Sequence, residues 1–244
     1  MRNIQISVDE YYHVYNRGVR KQIIFHDTAD YARFLFLILF FQSPLVFHPL
    51  SPYVSAFASN FVKHRVFNID ASDSSKIIRG RYVELISFCL MPNHFHLVLR
   101  EIREHGIARY MQRVLNGYTK YYNTKYEVSG HLFQGPYKAV HVENNEQLLY
   151  LSTYVHRNPR ELQHWKNKEQ TYEWSSYQDY IGENRWGELL STEIILEQFK
   201  TPSVQHSVLD RTKSANANGY GKFVRESSAK LLREELGETL PKEL

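Results

Sequence analysis

Apolar positions along this chain change period several times, and the changes mark out its elements. Tyr11 to Asn16 alternates with a period of two, as a strand with one buried face does, and Arg17-Gly18 breaks the pattern. Asp27, with Asp30 three residues on, opens a helix predicted to reach about Gln42, apolar on most sides and so buried against a sheet. Val83 to Leu90 and His94 to Arg100 are apolar runs separated by Met-Pro-Asn, a predicted β-hairpin with Pro92 in its turn. Ile107, Tyr110, Met111, Val114, Leu115, Tyr118 and Tyr122 recur at three and four residues, which predicts an amphipathic helix over 106–125 with Arg109, Arg113 and Lys120 on its other face. Ser129-Gly130 ends it. A fourth strand is predicted around Tyr137 to Val142, followed by a helix from Glu146 that Pro159 halts, with Leu148, Leu151 and Val155 as its buried stripe.

Strand, helix, strand, strand, helix, strand, helix is the order of an α+β, ferredoxin-like antiparallel sheet with helices on one face (βαββαβα). The segment from 43 to 76, with three prolines and many serines, stands apart as an insertion with a short helix near Tyr53 to Lys63 and no assigned role. Beyond Trp174 the pattern predicts a helix over Leu189 to Phe199, a Ser/Asn/Gly-rich linker over Thr201 to Gly221, and a last amphipathic helix from Phe223 to Leu236. The expected division is a domain over 8–182, with an insertion at about 43–78, and a helical C-terminal extension over 183–244 with a flexible linker at about 201–221.

Composition adds little. The 244 residues carry a formal net charge of +4, and Cys89 stands alone, which excludes an intramolecular disulfide. The greasiest run, Phe34 to Phe41, is far short of the ~20 residues that span a bilayer. With no signal-like N-terminus, a cytoplasmic protein without membrane contact is expected. Basic residues sit beside aromatics in Tyr15-Asn-Arg17-Gly-Val-Arg20-Lys21 and in Arg109-Tyr110-Met-Gln-Arg113. Such clusters suit a groove that tracks a phosphate backbone and stacks unpaired bases, although solvated helix faces beside core tyrosines leave the same trace. There is no Gly-rich phosphate loop and no Cys-x-x-Cys pair.

The candidate chemistry lies in Met91-Pro-Asn-His94-Phe-His96-Leu-Val-Leu99. Alternation sends His94 and His96 to one face and Phe95, Leu97 and Leu99 to the other, so one face can hold a metal while the other sits on a core. In the later helix, Tyr150, Tyr154 and Asn158 follow at i, i+4 and i+8, which puts a tyrosine one turn from an amide oxygen. Taken alone, the helix reads first as an amphipathic packing element capped by Asn158.

Together these motifs resemble the single-tyrosine HUH transposases of the insertion-sequence-200/605 type, and most closely the REP-associated tyrosine transposases. The resemblance covers roughly residues 8 to 182, through Tyr-His-Val-Tyr-Asn-Arg-Gly-Val, Cys-Leu-Met-Pro-Asn-His-Phe-His-Leu-Val-Leu, Gly-His-Leu-Phe-Gln-Gly-Pro-Tyr-Lys, Tyr-Val-His-Arg-Asn-Pro and Trp-Ser-Ser-Tyr-Gln-Asp-Tyr. It implies a metal-dependent single-stranded DNA endonuclease and strand transferase acting through a 5′ phosphotyrosine. Tyr154 would be the nucleophile, and His94, His96 and Asn158 the ligands of Mg2+ or Mn2+. It also implies single-stranded DNA with hairpin structure as the partner, with Arg17, Arg113 and Lys138 as candidate DNA contacts; monomer and homodimer both stay open. Pro136 stands where relatives often carry a basic residue, and the 43–78 insertion can alter the DNA path. Two other classes compete: a domesticated, non-catalytic nucleic-acid binding protein that kept the fold, and a hydrolase using metal-bound water, which needs a base carboxylate that the sequence does not place beside the histidines.

Overall fold

Two-residue periodicity becomes a four-stranded antiparallel sheet made of β1 (Tyr11–Arg17), β2 (Val83–Met91), β3 (His94–Glu101) and β4 (Lys138–Val142), in the order β2-β3-β1-β4. The computed structural model describes residues 5–47, 49–64, 71–199, 209–237 and 240. Between the strands run α1 (Thr28–Phe40), α2 (Leu50–His64), α3 (Ala71–Gly80) and α4 (Gly106–Lys125), and α5 (Asn145–Arg157) follows β4. The sheet order and the antiparallel pairing of every neighbour are those of the split βαβ expected from the sequence.

Register assigns the faces. Tyr15 pairs with His96, Arg17 with His94 and His13 with Val98 across β1 and β3, while Cys89 pairs with His96 across β2 and β3. Phe95 points the other way and meets Phe34 of α1 at 5.0 Å between ring centroids. Phe34 in turn meets Tyr118 of α4 edge-on at 5.0 Å, so α1 and α4 cover the Phe95 face. Burying each such ring contributes about 1.5–3 kcal/mol.

The expectation of helices on one face holds for these two crossover helices and needs correction for α5, which lies on the histidine face with Tyr154 against His13 and His96. The physical reason is visible in β2 and β3, which are buried at nearly every position rather than at alternate ones. Leu148, Leu151 and Val155, all fully buried, are the stripe that α5 presents inward.

Caps fix the helix starts. The Asp27 side chain accepts from the Asp30 amide, and Asn144 accepts from that of Gln147 at 2.8 Å. At the start of α4 the buried Glu101 carboxylate accepts from the amides of Gly106, at 2.8 Å, and Ile107, at 2.7 Å. Gly106 is required there, because a Cβ on it would collide with the Tyr82 carbonyl oxygen. Gly106→Ala is expected to cost about 1–3 kcal/mol in a urea unfolding experiment.

The insertion is part of the core rather than an appended loop. Phe57 of α2 packs edge-on against Phe36 of α1 at 5.4 Å and alongside Trp186 at 6.3 Å. The predicted helix near Tyr53 to Lys63 corresponds to α2, whereas α3 follows with no counterpart in the sequence reading. Past α6 (Tyr177–Ile181), the predicted 189–199 helix resolves into short turns around α7 (Glu193–Leu196). The expected linker needs correction as well. Residues 200–208 lie outside the described residues, but 209–221 belong to α8 (Leu209–Glu226), which precedes α9 (Ala229–Leu236). Local composition disfavours helix there; the burial of Tyr220 and Val224 outweighs it.

Candidate active site

The Met-Pro-Asn turn and the first residues of β3 arrange the two histidines. His94 Nδ1 lies 2.7 Å from Asn93 Oδ1, an oxygen that only accepts, so the ring hydrogen sits on Nδ1 and Nε2 keeps its lone pair. His96 Nδ1 lies 2.9 Å from His13 Nε2 of β1. The His94 and His96 rings stand nearly perpendicular, 5.1 Å apart. Asn158, at the end of α5, is buried and donates its Nδ2 to the Tyr154 carbonyl at 3.0 Å, which turns Oδ1 away from its own helix.

Three atoms are thereby left over. His94 Nε2, His96 Nε2 and Asn158 Oδ1 are all buried and without a hydrogen-bond partner among the described residues. Asn158 lies within range of both rings and favours their protonation, but its Oδ1 does not reach the geometry of a full hydrogen bond to either Nε2. A buried acceptor left unpaired costs about 1–3 kcal/mol. Three of them supplied by β3 and the end of α5 form a donor set of two neutral imidazoles and one amide oxygen, which fits a divalent cation. Among the described residues no three His, Cys, Asp or Glu side chains group as a metal site; the third donor here is an amide.

Burial lowers both imidazoles: His94 titrates at about 4 and His96 well below its ordinary range, so both are neutral at pH 7. His156 of α5, fully buried, is pushed down by burial to about 3. An imidazole whose folded-state pKa lies below its unfolded value of 6.5 stabilises the fold above that pH, and the contribution is lost as pH falls toward the folded value. Unfolding free energy is therefore expected to drop between pH 6.5 and 4 by up to ~1.4 kcal/mol per pH unit for each of the three, as measured by urea titrations at pH 7 and pH 5.

The Tyr154 ring stands edge-on to His96 at 5.5 Å and to His13 at 6.1 Å. Burial holds its hydroxyl as a neutral phenol, well above the ordinary tyrosine range; the Glu161 charge adds to this, and Asn158 pulls the other way. The remaining helix tyrosines are engaged elsewhere. Tyr150 packs on Phe223 of α8 at 5.3 Å. Tyr118 donates to the Ile24 carbonyl and Tyr121 to Asp30, while Tyr122 bonds His26.

A buried polar network holds α5 in place. His156 bonds the Tyr220 hydroxyl at 2.6 Å and Ser176 Oγ at 2.8 Å, and Ser176 Oγ accepts from the Phe88 amide of β2 at 2.9 Å. The extension thus grips the helix bearing Tyr154 from behind.

Of the three cations singled out in the sequence, two lie on the histidine face. Arg17 faces His94 across β1 and β3, and the exposed Lys138 pairs with Tyr15 across β1 and β4. Arg113 is a correction: its guanidinium donates to the carbonyls of Ser43 and Leu45 and covers the Phe41 ring, on the opposite side of the sheet. Those partners lie some seventy residues away, so nothing local revealed them. His13 was not anticipated either. Its signal was there, a histidine inside an apolar strand run on the same parity as Tyr15, but pairing with β3 is needed to read it.

No curated protein matches the chain. A solved structure of a REP-associated tyrosine transposase bound to a REP hairpin is similar at 10% identity and a TM-score of 0.47, over 85% of this chain and 98% of that one. The family model of IS200-like transposases matches residues 63–158. The matched segment holds His94, His96, Tyr154 and Asn158.

Proposed function

We propose that this chain is a metal-dependent single-stranded DNA nicking and joining enzyme whose nucleophile is Tyr154. The observation that carries the reading is the set of three buried atoms left without a hydrogen-bond partner among the described residues, His94 Nε2, His96 Nε2 and Asn158 Oδ1, beside the helix tyrosine that packs on His96. When bound by these donors, Mg2+ or Mn2+ supplies charge withdrawal from a non-bridging phosphate oxygen. Both imidazoles are neutral, so the site offers donors without adding negative charge against a phosphate. Tyr154 Oη forms the new bond to phosphorus, the bond to the 3′ oxygen breaks, and that oxygen leaves as a hydroxyl, giving a 5′ phosphotyrosine that preserves the bond energy for rejoining. The phenol gives up its proton during attack and the leaving 3′ oxygen gains one, so the exchange is balanced with no proton consumed or released overall. Asn158, one turn on, fixes the spacing of nucleophile and ligand set. Tyr154 packs against His96 of its own chain, which supports a site assembled within one chain.

Denaturant-resistant adduct formation with labelled single-stranded DNA and Mn2+ tests this against the non-catalytic and hydrolase alternatives, neither of which yields an adduct. Hairpin-bearing single strands are expected to bind more tightly than blunt duplex at matched salt. Lys138→Ala should weaken that binding and flatten its salt dependence by about one charge, while leaving adduct chemistry intact at saturating DNA. Tighter binding to duplex, or an unaltered salt slope, would count against this DNA path.

A further inference from the structure

Each histidine of the ligand set has its second nitrogen occupied, and the two are held differently. For His94 the partner is the neighbouring Asn93, an oxygen with no choice of role. For His96 the partner is another imidazole, His13, fully buried, 83 positions away in sequence and brought alongside by the pairing of β1 with β3. Two neutral imidazoles joined by one hydrogen bond have two arrangements. In one, His96 Nδ1 donates to His13 Nε2 and His96 Nε2 carries a lone pair. In the other, His13 donates, and His96 must carry its hydrogen on Nε2.

The second arrangement places the hydrogen on His96 Nε2, where Asn158 Oδ1 is near enough to act on the ring but does not reach the geometry of a full hydrogen bond, so a buried N–H is left poorly satisfied. The first leaves three lone-pair atoms around one space, which a cation satisfies at once. We propose that His13 is a positioning residue: its Nε2 accepts the His96 Nδ1 hydrogen and so fixes both the tautomer and the ring orientation that make His96 Nε2 a donor to the metal. The role of Nε2 rests on the metal reading above; the tautomer does not. Partners behind a metal-bound imidazole change metal affinity by about 10–100-fold when removed.

The tautomer is read first, in metal-free protein labelled with [15N]histidine. His96 is expected as Nδ1–H, and in His13→Phe, which keeps the ring volume and removes the acceptor, its resonances should shift toward Nε2–H or a mixture. Affinity for Mn2+ alone, followed by the electron paramagnetic resonance of the free ion, should fall about 10–100-fold in His13→Phe. His13→Gln, which can place an amide oxygen near the lost nitrogen, should recover most of it. Should His13→Phe not fold, His13→Asn, too short to reach His96, takes its place. An Nε2–H tautomer in the wild-type protein, wild-type Mn2+ affinity in the variant lacking the acceptor, or a folded His13→Gln no better than that variant would each overturn the proposal. Absence of Mn2+ binding in the wild-type protein, with the tautomer and its shift as expected, would remove the metal reading and leave the positioning role standing.

Discussion

Tyr154→Phe is expected to bind hairpin DNA and Mn2+ as the wild-type protein does, and to form no covalent adduct. The substitution removes one oxygen from a half-buried ring whose packing against His96 and His13 the phenylalanine retains. Because the hydroxyl makes the new bond to phosphorus, its loss leaves no weakened version of the reaction, and the expected fall in nicking is ~10^4-fold or more, toward background. Tyr150→Phe is the control. Its ring lies on Phe223 of the extension, one helical turn before Tyr154, and the adduct yield should not change. Adduct at normal yield from Tyr154→Phe would reassign the nucleophile.

Second in expected effect is His94→Ala combined with His96→Ala. Both rings are buried, and both leave Nε2 unpaired, so removing them deletes two of the three donors and with them the metal site. Cleavage should fall to background, and Mn2+ binding should disappear. Folding stability need not fall in proportion: two cavities are created, but two unpaired buried nitrogens go with the rings. Circular dichroism and urea unfolding separate loss of site from loss of fold. Full metal-dependent cleavage by a folded double variant would contradict the assignment of these ligands.

Where the sequence was legible, local spacing was enough. The 106–125 helix reads directly from apolar residues at three and four, since α4 packs one stripe and leaves the other face outside. Strand alternation placed His94 and His96 on one face without any structure. What was missed depended on contacts distant in sequence. Arg113 looks like a DNA-facing cation until Ser43 and Leu45 are brought to it; His13 looks like any strand histidine until β3 lies beside it. Residues 209–221 read as linker from their Ser, Asn and Gly content, yet Tyr220 is fully buried against His156 and Ser152, a packing term that local propensity does not contain. Aromatic seating of α2 on α1 and Trp186 was likewise hidden, because the partners of the insertion lie in other elements.

The most direct measurement maps the covalent attachment itself. Wild-type protein incubated with hairpin-bearing single-stranded DNA and Mn2+, denatured, digested with nuclease and protease and sequenced by mass spectrometry, should yield one modified peptide, spanning Leu151 to Arg157, with the nucleotide remnant on Tyr154 through a 5′ phosphate. The remnant on Tyr150 or on a tyrosine of α4, or efficient cleavage with no modified peptide at all, would contradict the account.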